Sequence, residues 1–121
     1  MTTTQEIVTA FYSRIEARDF DSLRSMLHDD LDFEGPVEGS DSADAFVAAV
    51  AKMSSLTEGF DVLHLFVDGE RACCVFDLVT ATPIGNSPVA EYFQVRDGRI
   101  ASIRSHYDSR PWLALTGSGS N

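Results

Sequence analysis

The sequence predicts an α+β domain, and three features predict it. Apolar residues recur at helical spacing through the first half, the period changes to two from Phe60 onward, and the later segments are separated by hairpin punctuation. At 121 residues and 13.2 kDa the chain suits one domain, large enough to bury a core without disulfide or metal staples.

Each element follows in order. In "TTTQEIVTAFYSRIEARD", Thr3 and Glu6 have capping-box spacing, and Ile7, Val8, Phe11, Tyr12 and Ile15 share one face, which predicts a helix over about 4–18. Asp19 can cap a short second helix with Leu23, Met26 and Leu27 on its apolar side. "LDFEGPVEG" alternates and then breaks at Gly35-Pro36, a short strand running into a loop. Asp41 or Ser42 opens a third helix carrying Phe46, Val47, Val50 and Met53 and ending near Gly59. Strands are then expected over 60–67, 71–82, 88–96 and 99–108, divided by Asp68-Gly69, by "PIGNSP" and by Asp97-Gly98. The order is α-α-β-α-β-β-β-β in a single domain over 1–113, with 114–121 expected as a flexible tail.

Composition excludes several functions. Nine Lys and Arg stand against 19 Asp and Glu, for a formal net charge of −10. Nucleic acid and anionic membrane surfaces both require a basic patch, so neither is an expected partner. No apolar run reaches the roughly 20 residues of a membrane span, and the Thr-rich start does not read as a signal peptide. Cys73 and Cys74 are adjacent on a strand, point to opposite faces and do not suit a disulfide, which favours a reducing, cytoplasmic setting. His28, His64 and His106 lack ligand spacing, so neither a metal nor a cofactor is expected.

Two carboxylates stand where apolar residues are expected. "ACCVFDLVTA" is apolar enough for a strand covered on both faces, yet Asp77 sits in its middle. In "PVAEYFQVR", Glu91 interrupts the face made by Val89, Phe93 and Val95. A carboxyl group in an apolar pocket is driven toward its neutral form, and two close together split their titrations into an acid and a base. Hairpin register decides whether they meet. A two-residue turn at Gly85-Asn86 puts them on opposite faces, and an odd loop puts both inside. A strict Asp97-Gly98 turn sets Glu91 against Arg104 as an ion pair; a bulged one sets it beside Ile103, Ser105 and Tyr107, the arrangement that apolar matching favours.

The order of elements, with "FYSRIEARDFDSLRSML", "LDFEGPVEG" and "YFQVRDGRIASIRSHYD", resembles the NTF2-like superfamily and more closely its SnoaL-like branch. The resemblance implies a curved mixed or antiparallel sheet wrapped around three helices as a cone, with an apolar pocket for a small molecule and a homodimer through the outer sheet face. In that frame Cys73, Val75, Asp77 and Val79 are expected to face the cone and Ala72, Cys74, Phe76 and Leu78 a partner subunit. The ligand is expected against Phe11, Tyr12 and Phe33, and against Val75, Val79, Phe93, Ile103, Ser105 and Tyr107 on the strands. Glu91 falls where ketosteroid isomerases of the superfamily place an oxyanion-holding acid, with Gly35 at their general-base position and Phe11 at their helix tyrosine. Asp77 falls where limonene epoxide hydrolases keep one acid, with Val75 and Ser105 at the other two positions. Three readings follow: a cofactor-independent acid-base enzyme (isomerase, cyclase, dehydratase or epoxide-hydrolase type) using Asp77 and Glu91, a non-catalytic binder of a small apolar molecule, or a dimeric domain whose pocket is filled by its own side chains.

Overall fold

The computed structural model describes residues 2–116. Helix α1 (Thr4–Glu16) begins with the capping box: the Thr3 hydroxyl accepts the Glu6 amide, and Glu6 accepts the Thr3 amide at 3.0 Å. It ends earlier than expected because Arg18 adopts a left-handed φ of 56°, from which the chain turns into α2 (Phe20–Ser25) under an Asp19 cap. Strand β1 (Leu27–Glu34) runs to a tight turn, and β2 (Gly39–Ser40) pairs back on it. Ser42 caps α3 (Ala43–Met53), which stops well before Gly59.

The remaining strands are β3 (Thr57–Asp68), β4 (Arg71–Thr80), β5 (Asn86–Arg96) and β6 (Arg99–Tyr107). They form one six-stranded sheet in the order β2-β1-β6-β5-β4-β3, antiparallel except where β1 runs parallel to β6. Bulges at Leu63 in β3 and Ala101 in β6 bend the sheet, and α1, α2 and α3 lie in its concave side. A further helix, α4 (Arg110–Thr116), occupies part of the segment expected as a tail; the rest of that segment lies outside the described residues. The Trp112 indole N–H donates to Ser87 Oγ at 3.2 Å, pinning α4 to the start of β5.

The facing of β4 is the reverse of the expectation. Ala72, Cys74 and Phe76 are buried at 3% exposure or less, while Cys73, Val75, Asp77 and Val79 lie on the convex face. The cause is packing against helices: α1 presents the rings of Phe11 and Tyr12, which need Phe76 and Cys74 beneath them. The concave side is filled by aromatic rings. Tyr12 meets Phe60 at 4.9 Å and Phe76 at 5.1 Å between centroids, Phe11 meets Phe93 at 5.2 Å, and Phe33 meets Phe46 at 5.0 Å. An expected open cone is thus packed in its deep part.

Candidate functional site

Hairpin geometry settles where the two acids lie. In the β4–β5 hairpin, Val79 pairs with Asn86, so the loop is the six residues 80–85, an even count that leaves Asp77 and Glu91 on opposite faces. Thr80 holds that loop, donating from both its amide and its hydroxyl to Gly85 O. Asp77 stands on the convex face directly across from Asp61 on one side and Pro88 on the other. The proton-handling role expected for Asp77 therefore has no partner inside.

Glu91 points inward. Asp97 and Gly98 form the two-residue turn, at φ of 54° and 76°, and the bulge at Ala101 then shifts the register so that Glu91 lies opposite Ser105 and Phe93 opposite Ile103. Arg104 falls opposite Tyr92 on the other face, so the alternative ion pair with Glu91 does not form. The residue keeps some exposed surface, but its carboxyl group is enclosed. Tyr12 donates its hydroxyl to Glu91 Oε1 at 2.8 Å, and Ser105 stands directly across from Glu91 on β6.

Burial raises the Glu91 pKa above the ordinary carboxylate value; the Tyr12 hydrogen bond and the Ser105 side chain pull it down, and the Glu38 charge nearby pushes it up again. Burial likewise raises the Tyr12 phenol, with the Glu91 charge next in importance, so Tyr12 stays a donor. Cys74 lies within hydrogen-bonding reach of the Tyr12 hydroxyl, and burial raises its thiol. Tyr107, one pair along from Ser105, places its hydroxyl 3.0 and 2.8 Å from the two oxygens of Glu38. Burial raises this phenol too, aided by its bond to Glu38.

The structure brings together Tyr12, Glu91, Ser105 and Tyr107 from the expected set. Phe11, Phe93 and Ile103 are at most 2% exposed and serve as core beneath them, while Phe33 is partly exposed near Tyr107's end of the sheet. Val75 and Val79 are on the wrong face for the site. Glu38 and Trp112 were not anticipated, since one sits in a loop after Gly35-Pro36 and the other in the expected tail; Pro111 followed by Trp112 and Leu113 was the available helix signal. A recess of about 10 Å³, room for about one water, lies away from Glu91 beside Ile15, Arg18 and Phe60. Among the described residues no cluster of His, Cys, Asp and Glu could hold a metal ion.

A bent six-stranded sheet folded over three helices is the fold of NTF2-like proteins. The SnoaL-like domain model matches residues 8–103, and the chain belongs to that family. A protein from Kribbella flavida is 30% identical, with 96% of each chain covered and a TM-score of 0.83. An NTF2-like protein of unknown function from Cytophaga hutchinsonii is 18% identical, covering 93% of this chain and 96% of the other at a TM-score of 0.82. A Pseudomonas putida protein provisionally named a polyketide cyclase is 22% identical, covering 94% and 98% at a TM-score of 0.75. A comparison with curated proteins finds no match.

Proposed function

We propose that this protein binds a small apolar molecule at Glu91 and acts on it by cofactor-independent acid-base chemistry of the isomerase, cyclase, dehydratase or hydrolase type. The observation that carries the reading is the enclosed Glu91 carboxyl group, backed by the Tyr12 hydroxyl at 2.8 Å. A carboxylic acid kept neutral by its surroundings donates a hydrogen bond to a substrate oxygen that gains negative charge, and the pre-set Tyr12 needs no reorganisation as that charge develops. The cyclase name carried by the Pseudomonas putida neighbour fits this class of reaction without fixing it.

2-Naphthol, whose oxygen imitates an enolate, is the probe for the site. Its fluorescence should report binding that weakens about tenfold or more in Glu91→Ala, a loss of roughly 1.4 kcal/mol. Equal binding by the two proteins contradicts the reading.

A second reading, a non-catalytic binding or dimerisation domain, is favoured by the rings that fill the deep part of the cone. Under either reading a homodimer through the convex face covers Phe66, 56% exposed, together with Val75 and Tyr92. The free thiols of Cys73 and Cys74 support a cytoplasmic setting.

A further inference from the structure

Helix α4 carries the only tryptophan of the chain back onto the concave face. Of residues 110–115, Trp112 is the buried one, at 8% exposure, while Arg110, Pro111, Ala114 and Leu115 are exposed. Its indole N–H donates to Ser87 Oγ at 3.2 Å, and its ring meets Tyr107 edge-on with 6.4 Å between centroids. Arg110 bonds back to Asp108, two residues earlier in the chain. A seven-residue helix with its indole seated in this way, joined to β6 through Asp108 and Ser109, is a plug on a short tether.

The seat keeps its shape without the plug. Ser87 is fixed on β5 opposite Leu78, and Tyr107 on β6 opposite Val89, with its hydroxyl bonded to Glu38. None of these ties involves α4. What the indole supplies is a donor for a Ser87 side chain buried at 6% exposure beside Val89, and a ring for Tyr107. A buried hydroxyl left without a partner is costly, so whatever takes the place of Trp112 must bring a donor with it. Ser87, Val89 and Glu91 alternate along one face of β5, which puts the seat at the end of the row that leads to Glu91.

We propose that Trp112 is the built-in occupant of a binding site for a planar bicyclic aromatic molecule carrying an N–H or O–H donor, and that displacement of α4 opens that site. The ring of the ligand lies against Tyr107 and its donor reaches Ser87 Oγ, reproducing both contacts of the indole. The tether sets the competition. A side chain held this close to its strand competes like a ligand present at a concentration on the order of millimolar. A free ligand meets only the fraction of molecules in which the seat is vacant, so its affinity for the intact chain is weaker than the seat's own. The seat needs no proton transfer at Glu91, whose carboxyl lies further along the same face.

The test is binding of 5-fluoroindole to the full chain, followed by fluorine-19 NMR. Trp112→Ala is expected to bind it about tenfold or more tightly than wild type, because the seat is vacant in every molecule. Adding Ser87→Ala to Trp112→Ala should weaken that binding about fivefold, the worth of one buried hydrogen bond. Trp112→Leu keeps an apolar anchor for α4 while vacating the hydrogen-bonded seat, and serves if Trp112→Ala does not fold. Equal binding by wild type and either folded variant overturns the proposal. Binding that Ser87→Ala leaves unchanged overturns it as well, since the probe then sits elsewhere.

Discussion

Enclosing a carboxyl group makes the folded chain hold a proton that the unfolded chain releases. Because burial raises the Glu91 pKa in the folded state, the native protein binds more protons than the unfolded one at pH values between the two pKa values. Stability therefore falls as pH climbs from the ordinary Glu value to the folded one, then levels. Glu91→Gln removes this dependence and keeps an acceptor for Tyr12, so its melting temperature at neutral pH should exceed wild type by about 4 °C, roughly 1 kcal/mol for a domain of this size. Thermal melts of both proteins across pH check this, and a less stable variant at neutral pH contradicts it. Tyr12→Phe acts the other way on the acid. It removes a hydrogen bond that favours the ionised form, so the Glu91 pKa should rise further, at a stability cost of about 1 kcal/mol.

At the scale of elements, turns place the acids. Gly98 sits at a φ of 76° in a two-residue turn, where a Cβ is strained, so Gly98→Ala should cost about 1–2 kcal/mol in denaturant unfolding. Asp61 and Asp77 are like charges directly across the β3–β4 pair, and Asp77→Asn should gain a few tenths of a kcal/mol in the same experiment. Helix caps at Thr3 and Asp19 and the Asp97-Gly98 turn were legible in the sequence because their signals are local. The inward setting of Glu91 was legible through the apolar partners Phe93 and Ile103, which hold it in register. The facing of β4 was not. Cys73, Val75 and Val79 are as apolar as Cys74 and Phe76, so periodicity carried no preference, and the choice fell to the rings of α1. Glu38 was hidden for a similar reason, since only the folded loop brings it to Tyr107.

Across the whole molecule, two apolar surfaces compete for attention. The concave one is satisfied internally, and Phe93→Ala should cost about 3–5 kcal/mol because the surrounding rings cannot close the hole. The convex one leaves Phe66 at 56% exposure on edge strand β3, in register with Cys73 of β4. A second copy covering this face predicts a dimer by sedimentation, and Phe66→Glu should shift it to monomer without disturbing the fold. A wild-type monomer at high concentration would contradict it. No helix of the described residues is long and apolar enough to cross a membrane.

Burial in the folded protein favours the neutral form of Glu91. Carbon-13 NMR of the labelled glutamate side chains, with Glu91→Gln to assign the signal, measures this directly. The predicted result is a Glu91 carboxyl that stays protonated above the ordinary glutamate value. A Glu91 signal that titrates at or below that value would contradict it.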